Sequence, residues 1–310
     1  MFRRLGWLAL PVLLASIGVF GWYGWRYYVH MDTLGPSISI GEENINVSVK
    51  DDEKALLAGV TAYDAKDGDV TASLGIESIS EFINGTVTRE IHIVAFDHDG
   101  HVTRANRQIT YTDYTPARFS LDAPLRFARS SYAIDILGQV HAQDCLDGDV
   151  SMQINFAQNS TINVDTAGEY PTQLEVTNTA GDTQVLPVNI TIYDYMTENA
   201  APKIELTDYL VYTHTGQTLE PLSYIEKMVY RGTDYPPTDG RGTFRVDTEN
   251  MDQWELKEFR KQDPEVNYGY FEVDDKVNYD IPGTYEIRYY IEDGDENRGT
   301  TTLVVVVGNY

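Results

Sequence analysis

Cysteine and basic side chains are scarce in this sequence. A single cysteine among 310 residues excludes an intramolecular disulfide and a zinc site built from cysteines, so side-chain packing must hold the fold together. The 23 Lys and Arg are outnumbered by 48 Asp and Glu, which gives a formal net charge of −25. A chain of this charge is repelled by the phosphates of nucleic acid, which excludes nucleic acid as a partner.

The signatures of common enzymes are absent as well. The sequence contains no G-x-S-x-G, H-E-x-x-H, G-x-x-x-x-G-K-[ST] or G-x-G-x-x-G, the motifs of many hydrolases, metalloproteases and nucleotide-binding proteins. Carboxylate pairs of the kind that glycosidases use carry no information here, because 48 acids guarantee accidental pairs. We therefore expect a protein that is not an enzyme and that binds neither a nucleotide nor an organic cofactor.

One long apolar run is present at the N-terminus. Residues 5–25 read LGWLALPVLLASIGVFGWYGW, without a charge, and as a helix they are long enough to cross a hydrocarbon layer of about 30 Å. Arg3 and Arg4 precede the run, and tryptophans lie near its ends, as is typical of membrane interfaces. We predict a cytoplasmic tip and transmembrane helix over residues 1–30, a short linker over 31–35, and all later residues outside the cell membrane.

A cleaved secretory signal is the alternative interpretation of this run. It also starts with arginines, but its apolar stretch of 7 to 15 residues is shorter, and this sequence has no clear A-x-A cleavage site. Both interpretations place the rest of the chain beyond the membrane.

The remainder of the chain repeats itself. AYDAKDGDVT at 62–71 aligns with AQDCLDGDVS at 142–151 at an offset of 80 residues, and Gly168-Glu-Tyr170 has a counterpart in Gly283-Thr-Tyr285. Between these marks, apolar and polar residues alternate with period two and turn residues separate the runs, which predicts short antiparallel strands. We predict an all-β protein with three β-sandwiches in series, at 36–113, 116–194 and 201–310, the last with an insertion at about 226–278.

The order G-V-T-A-Y-D-A-K-D-G-D-V-T at 59–71, followed by strands marked G-x-Y and D-x-x-G, resembles the bacterial immunoglobulin-like repeats found in tandem in surface proteins. The resemblance covers residues 36–194 well and 202–308 weakly, because the third unit lacks the D-G-D-V element. It implies immunoglobulin-like Greek-key sandwiches and an extracellular binding or spacing role.

The acidic loops are candidate calcium sites, because Ca²⁺ takes six to eight oxygen ligands and carboxylates are grouped there. In the first unit the candidate ligands come together if the acidic loop and the hairpin tip share one end of the sandwich, and in the second unit if that end faces the linker that carries Asp113. The candidates are Asp64, Asp67, Asp69, Asp97, Asp99, Asp113, Asp144, Asp147 and Asp149. The alternative is structural, because aspartates also close tight turns through hydrogen bonds to the backbone.

Aromatic side chains of the third unit are candidate ligand-binding residues. Flat rings bury much area at low entropic cost, and Tyr230, Tyr235, Trp254, Tyr268 and Tyr270 are suited to a carbohydrate- or protein-binding platform. The same rings would also fill a core enlarged by the insertion.

These features predict a membrane-anchored, extracellular, non-enzymatic binding and spacer protein whose partner is an envelope polysaccharide or a surface protein. Two alternatives stay open: a calcium-dependent adhesion or stiffening rod, and a cell-wall or glycan-acting enzyme centred on the third unit.

Overall fold

The computed structural model describes residues 6–29, 33–130, 134–157, 161–194, 201–230, 232–235, 270–292 and 298–309. The chain divides into two compact units, Met1–Asp113 and Tyr114–Tyr310. Beyond the N-terminal helix both units are built from β-sheets, which confirms the predicted all-β class.

The N-terminal helix α1 runs from Gly6 to Val29 and contains Pro11. Its large side chains lie open to the surroundings; Val12, Leu13 and Leu14 are each more than half exposed, at 65%, 56% and 61%. In the part of the chain whose side chains are described, no helix is both long enough and apolar enough to cross a lipid bilayer. The membrane span at residues 5–25 therefore stays a prediction.

The first unit continues with one short helix and seven strands. They are β1 (Ser37–Ile40), β2 (Asn44–Val47), α2 (Glu53–Leu56), β3 (Val60–Asp64), β4 (Gly68–Asp69), β5 (Gly75–Ile79), β6 (Thr88–Phe96) and β7 (Val102–Tyr111). The strands form two sheets in the orders β1-β3-β4 and β2-β7-β6-β5. Strand β2 pairs parallel to β7, and the other pairs are antiparallel. Ala62, Val70 and Ala95 are buried together in a shared apolar cluster.

The second unit begins with the same arrangement. Its first seven strands are β8 (Arg118–Leu121), β9 (Arg126–Ala128), β10 (Val140–Asp144), β11 (Gly148–Asp149), β12 (Asn155–Phe156), β13 (Gly168–Thr177) and β14 (Thr183–Tyr193). The sheet orders are β11-β10-β8 and β12-β13-β14-β9, and β9 pairs parallel to β14. Each strand corresponds in order and pairing to one of the first unit, so the repeat seen in the sequence is also a repeat of topology.

Seven further strands complete the second unit. They are β15 (Lys203–Leu206), β16 (Leu210–His214), β17 (Ile225–Tyr230), β18 (Thr233–Tyr235), β19 (Tyr270–Asp275), β20 (Gly283–Glu292) and β21 (Arg298–Gly308), in sheets ordered β15-β17-β18 and β16-β21-β20-β19. The segment predicted as an insertion at 226–278 thus starts within β17 and ends just after β19. Residues 236–269 lie outside the described part of the chain.

The last two pairs of sheets pack against each other. Leu210 and Val304 are buried in the same apolar cluster as Phe119, and the backbone N–H of Phe119 donates a 2.8 Å hydrogen bond to the hydroxyl of Tyr212. The sequence predicts sandwiches in series separated by a linker near residue 200. Both pairs of sheets belong to the compact unit Tyr114–Tyr310, and the boundary between 194 and 201 stays a prediction.

The G-x-Y marks are tyrosine corners. The hydroxyl of Tyr170 donates to the Thr166 carbonyl at 2.9 Å, and that of Tyr285 donates to the Ile281 carbonyl at 3.0 Å. A Cβ added at Gly283 would lie 3.4 Å from the Tyr285 ring, a tight contact. A Cβ added at Gly168 would lie 3.8 Å from the Tyr170 ring, an ordinary van der Waals distance, so the glycine is sterically favoured only at position 283.

Candidate functional site

The two acidic loops are closed by their own aspartates. Oδ1 of Asp64 accepts hydrogen bonds from the backbone N–H groups of Lys66 and Asp67, at 2.7 and 2.8 Å. Oδ1 of Asp144 accepts the equivalent bonds from Leu146 and Asp147, at 2.8 and 3.0 Å. Hydrogen bonds from the backbone also hold the pKa of Asp64 below its ordinary value. These are Asx turns, in which the carboxylate replaces a backbone acceptor.

The last aspartate of each loop serves the following turn. Asp69 and Asp149 accept from the backbone N–H of Thr71 and Ser151, at 2.9 and 3.0 Å. Hydrogen bonds from those same two residues lower the pKa of both carboxyl groups.

The middle aspartate fastens the loop to the neighbouring hairpin tip. Oδ2 of Asp67 accepts from the backbone N–H of His98 at 2.8 Å, and Oδ2 of Asp147 accepts from that of Thr179 at 2.6 Å. The structure therefore places each acidic loop beside its hairpin tip, as the repeat topology led us to expect. A backbone donor of the tip meets the loop in both units, and in the second unit the Thr179 hydroxyl donates as well.

The other acids predicted as calcium ligands also have partners. Asp97 accepts from the backbone and from Nδ1 of His101, at 2.8 and 2.6 Å, while Asp99 forms an ion pair with Lys66. Burial raises the pKa of Asp97, but the bonds from His101 and its charge outweigh burial, and the net shift is downward. Asp113 accepts from the Ser48 hydroxyl at 2.6 Å within the first unit.

A buried polar network in the second unit has no signal in the sequence. The hydroxyl of Tyr114 donates to Asp182 at 2.6 Å and accepts from Nδ2 of Asn178 at 3.0 Å. Nδ2 of Asn178 also donates to Oδ2 of Asp144 at 3.1 Å. Burial, together with the Asp182 carboxylate, raises the pKa of Tyr114, so the phenol stays protonated. The network joins the start of the unit to its hairpin tip.

These contacts bear on the calcium hypothesis. Among the described residues, no group of three or more His, Cys, Asp or Glu is arranged to hold a metal ion. One oxygen of each carboxylate in the two acidic loops already accepts a backbone N–H group, as the turn-forming alternative for these aspartates predicts. Calcium binding stays a prediction for the nine aspartates.

The aromatic residues predicted as a binding platform have different environments. Tyr230 is 9% exposed and belongs to the apolar core with Met228 and Ile287, which corresponds to the core-filling alternative. Tyr235 and Tyr270 lie in β18 and β19. Trp254 and Tyr268 lie outside the described residues, so the platform is not assembled from the part of the chain described here.

A cleft of about 770 Å³ lies within the second unit, between the outer faces of its two four-stranded sheets. One wall carries Pro171, Gln173, Pro187 and Asn189, and the other carries Asp274, Lys276, Thr284, Glu286, Arg288 and Val304. Strand alternation produces both walls: Leu174, Leu186 and Val188 point into the core, so the intervening residues point into the cleft. The volume falls within the range of about 300–1,000 Å³ that is typical of ligand sites.

Polar bonds tie the two walls together. Arg288 donates to both carboxylate oxygens of Glu169, at 2.7 and 3.2 Å, and to Glu286 at 2.9 Å. Nδ2 of Asn189 donates to the other oxygen of Glu286 at 2.7 Å. The Glu169 hydrogen bonds, joined by those of Glu286, raise the pKa of Arg288 despite its partial burial. The guanidinium of Arg288 and the carboxylates of Glu169 and Glu286 therefore form a network of ion pairs at the cleft.

No family model matches the chain, and no curated protein matches it. Among solved structures, it is similar to the CBM51-2 and INT domains of Clostridium perfringens ZmpB in complex with GlcNAc, at 19% identity over 49% of this chain and 26% of that one, with a TM-score of 0.21. It is also similar to mouse Cadherin-23 EC22-24, at 12% identity over 88% and 98% of the two chains, with a TM-score of 0.20. The chain thus spans about a quarter of the ZmpB structure's length.

Proposed function

We propose that this chain is a membrane-anchored, extracellular, non-enzymatic binding and spacer protein. Helix α1 inserts in the cell membrane with its N-terminus in the cytoplasm, and immunoglobulin-like sandwiches at 36–113, 116–194 and 201–310 stand outside. The partner is an envelope polysaccharide or a protein of the cell surface.

The observation that carries the proposal is the exposure of α1. Val12, Leu13 and Leu14 are consecutive, so their side chains point around the helix rather than to one face, and all three are more than half exposed. A helix that is apolar all round needs an apolar environment on every side, and a bilayer supplies one. Arg3 and Arg4 before the helix favour retention of that end in the cytoplasm.

The carboxylates support a non-catalytic role. A general acid at neutral pH needs a raised pKa, whereas the pKa values of Asp64, Asp69, Asp97 and Asp149 are lowered by hydrogen bonds within their own loops. Such groups stay ionised and fix the backbone. The loops therefore serve the rigidity of the sandwiches, which suits a spacer.

Cysteine labelling in intact spheroplasts tests the anchor and its orientation. Met152 is 99% exposed, so a Met152→Cys variant in a Cys145→Ser background offers an accessible thiol beyond the helix. A membrane-impermeant maleimide should label this variant in intact spheroplasts. A matched Phe2→Cys variant should be labelled only after lysis. Labelling of Phe2→Cys but not Met152→Cys in intact spheroplasts, or recovery of both chains in the soluble fraction, would contradict the proposal.

A further inference from the structure

We propose that the cleft in the second unit binds a short neutral oligosaccharide. This inference rests on the proposed surface-binding role and assigns to it a site and a class of ligand. The site is the space between the outer faces of β13 and β14 on one wall and of β19, β20 and β21 on the other.

Most of the backbone of the cleft walls is already paired. Strands β13, β14, β20 and β21 each lie between two neighbours, whereas β19, which carries Asp274, is an edge strand. A ligand in the cleft therefore meets mainly sheet faces and a single strand edge. An extended peptide gains its main-chain hydrogen bonds at an edge, so this geometry disfavours a peptide and leaves recognition to side chains.

The charged groups at the cleft are paired, and together with Glu169 they are three acids and two bases. The lining contains two acids, Asp274 and Glu286, and two bases, Lys276 and Arg288, in a chain whose net charge is −25. These charges are engaged with one another or with Glu169: Lys276 pairs with Asp274 at 2.6 Å, and Arg288 pairs with Glu169 and Glu286 at 2.7 and 2.9 Å. Because a charged ligand would have to break a formed pair, the cleft selects for a neutral one.

Neutral hydrogen-bonding groups remain for a ligand. Within the described residues, the side-chain amide of Gln173 and the hydroxyl of Thr284 have no hydrogen-bond partner, and the two stand on opposite walls. Pro171 and Pro187 are exposed and add apolar surface on the wall of Gln173. A sugar ring presents both hydroxyl groups and C–H faces, so an oligosaccharide matches this mixture of amide, hydroxyl and aliphatic groups.

Isothermal titration of the full-length chain in lipid nanodiscs tests the site. The probes are neutral tetrasaccharides of β-linked glucose, α-linked glucose and β-linked N-acetylglucosamine. We expect at least one to bind, and we expect Gln173→Ala and Thr284→Val each to weaken that binding about five- to tenfold through the loss of one hydrogen bond. The matched control is Gln108→Ala, an exposed glutamine on β7 of the other unit, which should leave the affinity unchanged.

Three results would overturn the inference. They are no binding of any probe by the wild-type chain, equal binding by the wild type and the two cleft variants, and tighter binding of an extended neutral peptide pool than of the sugars. Both substitutions lie on outer sheet faces, so we expect each variant to fold. Circular dichroism of each variant checks this. The spheroplast labelling is independent of this titration. A negative titration would contradict the oligosaccharide site but not the membrane-anchored spacer, and a negative labelling result would contradict the anchor alone.

Discussion

Both oxygens of the Asp147 carboxylate are bonded to Thr179: Oδ2 lies 2.6 Å from its backbone nitrogen, and Oδ1 lies 2.6 Å from its hydroxyl. Asp147 belongs to the acidic loop and Thr179 to a hairpin tip 32 residues later. The pair joins two loops at one end of a sandwich. The counterpart in the first unit, Asp67 with the backbone N–H of His98, has one of these two bonds.

Replacement of Asp147 by Ala should destabilise the second unit by about 2 kcal/mol, because two hydrogen bonds to a charged acceptor are lost. Asp67→Ala should cost the first unit about half as much. Urea unfolding followed by far-UV circular dichroism measures both losses of stability. Hydrogen exchange at the Thr179 amide reports on the bond to Asp147. The control is Asp165→Ala, which removes an exposed carboxylate and should change the free energy of unfolding by less than about 0.5 kcal/mol. A loss for Asp165→Ala equal to that for Asp147→Ala would contradict the assignment.

Removal of calcium should leave the thermal midpoint unchanged. Oδ1 of Asp64 and of Asp144 each accepts two backbone N–H groups, so a cation at these atoms would compete with formed hydrogen bonds. Calorimetry with a chelator and with millimolar Ca²⁺, the range at which extracellular calcium modules fill, checks this. A rise in the midpoint with Ca²⁺ that disappears in Asp144→Asn would instead support the calcium-dependent rod.

Acid should weaken the first unit through Asp97. Its pKa in the folded chain is below the ordinary 3.8, so its stabilising contribution is fully present above that value and is lost as the pH falls through the folded pKa. The free energy of unfolding of the wild type should therefore fall below about pH 4. In Asp97→Asn the decline should be shallower, since one titrating group is gone. Urea titrations at successive pH values measure the difference, and identical slopes for the two chains would refute the role of Asp97.

Loss of the tyrosine-corner hydroxyls should destabilise the second unit. Tyr170→Phe and Tyr285→Phe each leave a backbone carbonyl without its donor, at a cost of about 1 kcal/mol. Denaturant unfolding of the two variants should show similar shifts, because the geometry is the same in both. Tyr193→Phe is the control, since the Tyr193 ring stacks with Arg126 and its hydroxyl has no hydrogen bond within the described residues.

A charge in the middle of α1 should impair membrane insertion. Leu14→Arg places a cation near the centre of the proposed span, where insertion costs about 2.5–3.5 kcal/mol. The fraction of chain that resists carbonate extraction should fall markedly for Leu14→Arg and remain at the wild-type level for Leu14→Ile. Equal extraction of all three chains would argue against a span at residues 5–25.

Several features were predictable because they depend on neighbours in sequence. Period-two alternation predicts β14 and β20, and the repeated D-G-D element predicts turns at Gly68 and Gly148, which have φ of +80° and +74°. An aspartate two or three residues before a backbone N–H reaches it whatever the rest of the fold does. For this reason the turn alternative for Asp64 and Asp144 followed from spacing alone.

Other features required the tertiary structure. The burial of Tyr230 and the hydrogen bond of Tyr114 to Asp182 depend on which strands pair and which sheet faces pack. The spacing of residues in the sequence does not determine this pairing and packing. The sequence by itself determined the all-β class, the repeated units and the tight acidic turns, because short-range hydrogen bonds and side-chain alternation are local. The tertiary structure alone decided the cleft beside Gln173 and Thr284, because it arises where two outer sheet faces meet, and that contact is set by long-range burial of apolar surface.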